Sequence, residues 1–319
     1  MKLTEKYIIK KYFKPLTYGN IESLKLEDDV FFDPKKKIIL STDTYEEKIH
    51  FLNSADPAKF IKKIFRSSIS DIICKGCAPF VYFLSLSIKK KNNKWFSKLK
   101  SELSKDSKKF KLFLGGGDTI KSKINSFTFT ILGYPSKKPI LRSGAKIDDD
   151  IYITGNLGDS YLGLLVLLKK INLNKQNKFF IKAFSEPDLP FKFSTKLHKF
   201  ANSSTDISDG LIIDLKNICK ASKCGAIISF EKIPFSKNTI LANKLKQIRS
   251  IDIFSKGDDY QILFTANKTK RSLIVSMAKM TSTKVSRVGK IIQKRLVKLS
   301  KDDKIVNLTT ANTGYIHKF

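Results

Sequence analysis

Histidine is nearly absent from this chain: three in 319 residues, beside one tryptophan and four cysteines. With so few histidines and no G-x-S-x-G string, triad hydrolysis finds no support. No G-x-x-x-x-G-K-[ST] occurs, so a P-loop is not the nucleotide site, and the H-R-D and D-F-G strings of protein kinases are missing too. Long apolar runs are also lacking. Tyr161–Leu168 stops at Lys169-Lys170, well short of the roughly 20 residues that span a bilayer. The basic start, Met1–Phe13, interrupts its apolar residues with lysines and lacks the continuous core of a secretory signal, so no membrane partner and a cytoplasmic location are expected. The cysteines form two close pairs, Cys74/Cys77 and Cys219/Cys224. C-x-x-C admits a zinc or redox reading, but no histidine lies near either pair and the second spacing differs, so small buried thiols are the better account.

Acidic side chains are scarce as well, 29 against 61 Lys and Arg, for a net charge of +32. Such a balance raises nucleic acid as a partner. Only six of those cations are arginine, the residue favoured for bidentate reading of phosphates and bases. The lysines run from end to end, as at Lys35–Lys37 and Lys89–Lys91, which describes a dispersed solvated surface rather than a nucleic-acid face. A basic nucleic-acid-binding protein stays as the alternative from another class.

With 41% hydrophobic residues and a prior of about 100–200 residues per domain, the chain has material for two lobes with a cleft between them. Strand-like and helical patterns alternate, an α/β or α+β arrangement. Strands are expected at 37–40, 80–88, 111–114, 126–132 and 151–154, and helices at about 57–76, 95–104, 160–170 and 208–222. Asp206 or Ser208 would cap the last helix and Gly225 would stop it. The polar, proline-flanked stretch Pro135–Pro139 marks a boundary, dividing the chain into 1–138 and 139–319.

In so basic a chain, where the acids gather matters. Asp43, Asp71, Asp118 and Asp206/Asp209 each sit beside Gly, Ser or Thr, and Asp28-Asp29 stand as an acidic pair, at expected strand ends or helix starts, where open α/β sheets place ligands. Converging carboxylates call for hard cations, and Mg²⁺ bridges a few of them to substrate phosphates. Gly115-Gly116-Gly117 would let phosphate oxygens approach backbone N–H groups, with Asp118 beside them. Taken singly, each string reads equally well as a turn or a cap.

In their order, LEDDV (26–30), STDTYEEKIHF (41–51), SDIICKGCAPF (70–80), GGGDT (115–119), RSGAKIDDDIYITGNLGDS (142–160), STDISDGLIIDL (204–215) and SKGDDYQILFT (255–265) resemble the thiamine-monophosphate kinase family. That resemblance implies a two-domain α/β architecture like that of aminoimidazole ribonucleotide synthetase. Its N-terminal α/β domain forms a homodimer and its C-terminal domain is an α/β sandwich. It implies direct transfer of the γ-phosphoryl of ATP to thiamine monophosphate, the last step to thiamine diphosphate, with several Mg²⁺ ions and no covalent nucleophile. By the same resemblance Asp29, Ser41, Thr42, Asp43, Asp71, Asp118, Asp206 and Asp209 form the metal shell. Gly117, Asp118, Arg142 and Ser208 contact ATP; His50, Asp258 and Asn312 take the acceptor. The family carries glutamate where Asp258 stands and an aromatic ring where Asn312 stands, and Tyr315 is the nearby residue able to replace that ring. The nearest rival is another ATP-dependent synthetase or kinase of the same superfamily.

Overall fold

A computed structural model describes residues 4–244, 250–306 and 308. The first sheet is built from β1 (Phe31–Asp33), β2 (Ile38–Glu46), β3 (Cys77–Ile88), β4 (Phe113–Lys121) and β5 (Ser126–Pro135), in the order β1-β2-β5-β3-β4. Its neighbours are antiparallel except β3 and β4, which run parallel. Along β5, Phe127, Phe129 and Ile131 are buried while Thr128 and Thr130 between them are not. That period of two turns one face of the sheet onto the Ile61–Ile73 helix, which buries Ile61, Ile64, Phe65, Ile69, Ile72 and Ile73. The Asn93–Phe110 helix, capped by the Asn92 side chain, packs beside it through Leu99 and Leu103. The opposite face carries the hydroxyl pairs Thr42/Thr130 and Thr44/Thr128 at 2.8 and 2.9 Å, and no helix among the described residues covers it.

The second sheet contains β6 (Asp150–Thr154), β7 (Ala201–Asp206), β8 (Gly225–Ser229), β9 (Ile262–Ala266), β10 (Val285–Ile292), β11 (Val297–Lys301) and β12 (Lys304–Val306), ordered β12-β11-β8-β10-β6-β9-β7. Every residue of β6 and β9 is buried, so the sheet is covered on both faces there and these two strands are continuously buried rather than alternating. Ile151, Ile153 and Leu263 pack with the Leu211–Ala221 helix; Tyr152, Ile262 and Phe264 pack with Ile274 of the Arg271–Met280 helix. The halves are also tied by Arg66. It binds Asp106 through two nitrogens at 2.7 and 2.8 Å and donates to the Pro187 carbonyl at 2.9 Å.

Three local expectations are corrected. The strand expected to end at Leu114 runs on through the glycines to Lys121, because the chain there pairs with β3: a Cβ on Gly117 would lie 1.9 Å from the Leu84 carbonyl oxygen. The helix expected from Ser208 starts at Leu211, and Asp206 is the last residue of β7. Neither Asp206 nor Ser208 caps it; Asp214, one turn in, accepts from the Gly210 N–H at 3.0 Å. Nor does Gly225 stop it. The helix ends at Ala221, Lys223 takes the left-handed conformation, and Gly225 opens β8. All four cysteines are buried free thiols, and no helix among the described residues is long and apolar enough to cross a membrane.

Candidate metal and phosphate cleft

Between the halves lies a cleft of about 510 Å³ whose walls carry Asp29, Asp43 and Asp71 from the first half and Asp206, Asp209 and Asp258 from the second. Alternation along β2 turns Ser41, Asp43 and Tyr45 toward the Ile61–Ile73 helix, where Asp71 sits near the C-terminal end. Hydroxyls aim the carboxylates. Ser41 Oγ donates to Asp71 Oδ2 at 2.6 Å, Ser70 Oγ to Asp206 Oδ2 at 2.6 Å, and Tyr45 Oη to Asp43 Oδ2 at 3.0 Å.

The loops from the second half approach each other through glycine. The Asp258 N–H donates to the Ser208 carbonyl and the Tyr260 N–H to that of Ile207, both at 2.8 Å. A Cβ on Gly257 would stand 2.0 Å from the Ser208 oxygen, and one on Gly210 would stand 2.4 Å from the Ser255 oxygen. Asp258 and Tyr260 hold φ of +63° and +50°, an unfavourable backbone for such residues that is characteristic of functional loops.

Each of Asp29, Asp71 and Asp206 offers an oxygen, and the three lie within 4.8 Å of one another. Burial, then repulsion from Asp43, Asp206 and Asp29, pushes the Asp71 carboxyl well above the usual range. Burial and the nearby Asp29 charge raise Asp206 to about 7, and burial with Glu5 raises Asp209 to about 6. Asp29 behaves differently. Burial opposes its ionisation, but Arg142 and Lys75 outweigh it and hold the carboxyl below its ordinary value. Asp206 Oδ1 is buried without a hydrogen-bond partner. An all-oxygen set, mutually repelling and with one orphaned carboxylate oxygen, fits a hard divalent cation such as Mg²⁺.

The remaining expected residues divide. Ser208 and His50 line the cleft, and His50 Nδ1 accepts from the Glu46 N–H at 3.0 Å. Thr42 faces the uncovered side of the first sheet. Asp118 is exposed on β4, opposite Ser85, Thr128 and Thr44 in successive strands, which at about 4.8 Å per strand sets it roughly 14 Å from Thr44. Gly117 lies beside it. Within one chain, neither joins the carboxylate cluster. The Arg142 guanidinium pairs with Asp29 and donates from Nε to Thr205 Oγ1 at 3.3 Å. Asn312 lies outside the described residues.

Several residues at the cleft escaped the sequence reading. Lys75 is fully buried with its Nζ 2.8 Å from Asp28 and 3.3 Å from Asp29, anchoring the acidic loop from behind. Lys63, also buried, pairs with Asp258 at 2.9 Å. A signal was available: Lys63, Ser67 and Asp71 recur every four residues, which sets them along one face of their helix.

Comparison with known proteins places this cleft in a family. The N-terminal domain of AIR synthase related proteins matches residues 26–134. The thiamine-monophosphate kinase of Buchnera aphidicola subsp. Acyrthosiphon pisum is 37% identical over 276 residues, covering 84% of each chain. The chain belongs to the thiamine-monophosphate kinase family. The Escherichia coli K12 member is 32% identical to this kinase over 275 residues, again 84% of each chain. A solved structure of AaThiL complexed with AMPPCP and TMP superimposes with a TM-score of 0.85 over 99% of both chains, at 24% identity, and shares the fold.

Proposed function

We propose that this kinase phosphorylates thiamine monophosphate to thiamine diphosphate, using ATP directly, with Mg²⁺ ions held by Asp29, Asp43, Asp71, Asp206 and Asp209 and by Ser41 beside them. The observation that carries the reading is the convergence of Asp29, Asp71 and Asp206 oxygens within 4.8 Å in a cleft between the two halves. An acceptor phosphate oxygen attacks the γ-phosphorus, and the bond from that phosphorus to the ADP oxygen breaks. The attacking oxygen is already anionic, so no side chain is required as base or nucleophile. The obstacle is repulsion between two anions brought into line. Bound Mg²⁺ supplies the charge neutralisation that this step needs. The protein's own groups position. Ser41 and Ser70 orient Asp71 and Asp206, Arg142 and Lys75 keep Asp29 ionised, and Ser208 and Arg142 serve the nucleotide.

Gly117 and Asp118 act, in this reading, across a homodimer. Their strand is an edge of the first sheet, uncovered among the described residues, and Phe83, Phe113 and Leu114 are 39%, 59% and 55% exposed around it, an apolar surface suited to a second copy of the chain. The reaction belongs to the cytoplasm, where ATP is supplied. Incubating the purified protein with MgATP and thiamine monophosphate should yield thiamine diphosphate by chromatography. ATP consumed only with a different acceptor would refute the substrate.

A further inference from the structure

The cleft has two ends. Lys63, Ser67 and Asp71 line it from one helix, and at 1.5 Å per residue Lys63 stands roughly 12 Å along the axis from Asp71. Asp71 belongs to the carboxylate cluster. Lys63 belongs to a different group: its Nζ lies 2.9 Å from Asp258 Oδ2 and 3.6 Å from the centre of the Phe184 ring, while Tyr260 Oη donates to Asp258 Oδ1 at 2.8 Å. Ile49, Leu52 and Leu164 add apolar lining to the cleft.

A buried ion pair contributes little net stability, because both charges lose water to make it. Here it also sits on a loop whose Asp258 has φ +63°. The Asp258 side chain remains 27% exposed and that of Lys63 6%, so both reach the cleft. An opposed cation and anion on one wall match a ligand that carries an anion and a cation at a fixed separation. Thiamine monophosphate is such a molecule, with a phosphate at one end and a thiazolium ring beyond it.

Resting on the function proposed above, which already expects Asp258 at the acceptor, we propose that Lys63 is the acceptor's phosphate-recognition residue: the pair parts on binding, Lys63 takes the acceptor phosphate, and Asp258 faces the thiazolium. Lys63 is thereby the group that distinguishes the phosphorylated acceptor from the free alcohol. Phe184, stacked under the ammonium, keeps it directed into the cleft.

Calorimetric binding of three probes tests this, in the presence of Mg²⁺: thiamine monophosphate, thiamine, and ADP. Lys63→Met should weaken thiamine monophosphate by about tenfold or more, the scale of one lost hydrogen bond to a charged group, with thiamine and ADP binding as in the unaltered protein. Lys63→Arg should restore most of the loss. Asp258→Asn should weaken thiamine and thiamine monophosphate together. ADP binding serves as the control that each variant is folded. Equal loss for thiamine and its monophosphate in Lys63→Met, or no loss for either, would make the pair structural and overturn the proposal. Loss of ADP binding alone would reassign Lys63 to the nucleotide and overturn it as well. An unaltered protein that binds ADP but not thiamine monophosphate would instead refute the substrate itself.

Discussion

Replacing Asp206 by asparagine should stabilise the metal-free protein at pH 8. The side chain is 2% exposed, accepts from Ser70 Oγ at 2.6 Å through one oxygen, and leaves the other buried without a partner. Burial and the charge of Asp29 raise its carboxyl from an ordinary 3.8 to about 7. At 1.36 kcal/mol for each tenfold step, ionising it in the folded protein costs about 4 kcal/mol. The folded-state value lies above the unfolded one, so the favourable contribution is complete below about pH 4 and is lost as pH rises through about 7. Asparagine carries no charge and can still accept from Ser70. Asp206→Asn should therefore raise the melting temperature in EDTA at pH 8 by several degrees, with the gain shrinking toward pH 4. Adding Mg²⁺ should reverse the ranking, because the unaltered protein gains metal-binding energy that the variant forfeits. Melting curves in EDTA and in Mg²⁺ across that pH range decide the matter. A variant less stable than the parent in EDTA at pH 8, or one stabilised equally by Mg²⁺, would show that Asp206 is not a charge held ready for a cation.

Two further outcomes follow from the same geometry. Asp43→Asn and Asp118→Asn should each lower kcat by roughly a hundredfold or more, if charge neutralisation supplies about 3 kcal/mol at each position; near-normal turnover would remove Asp43 from the metal shell, or Asp118 from a site completed across the homodimer. Gly257→Ala should reduce both turnover and melting temperature, the latter through a loss of about 1–3 kcal/mol, since φ is +75° and the added Cβ would meet the Ser208 oxygen at 2.0 Å; unchanged kinetics would mean that the two loops can separate without harm.

Much of the fold was legible because its elements carry their own periodicity. The Ile61–Ile73 helix and β5 bury the residues that their spacing of 3.6 or 2 selects. Errors arose where a residue's local meaning depends on a distant strand. Gly115-Gly116-Gly117 punctuates like a turn in sequence, yet the run is strand because it pairs with β3, so closely that Leu84 occupies the space a side chain at Gly117 would need. Asp206 has the chemistry of a helix cap, but the pairing of β7 with β9 extends that strand as far as Asp206. Lys223 takes the left-handed turn that Gly225 was expected to supply, and Gly225 is instead required where the Lys294 oxygen would lie 1.8 Å from a Cβ.

The site was legible in its anions and hidden in its cations. Acids are rare in this chain, so each one beside Gly, Ser or Thr stood out, whereas a lysine among so many carried no signal by type. Lys63 and Lys75 differ from the other lysines only in burial, at 5% and 0% exposed, and burial of a charge is a property of the packed helix rather than of its neighbours in sequence. The helix stripe resolves this in part. Lys63, Ser67 and Asp71 fall on one face with Ser70 beside them, and a polar stripe on a helix packed against a sheet must meet either water or other charges. In this protein it meets both: Asp206 at one end and, at the other, Asp258 with the open cleft beyond it. One helix thus sets the distance between the metal cluster and the proposed acceptor cation, and a lengthened or shortened turn between Lys63 and Asp71 would alter that separation without touching either side chain.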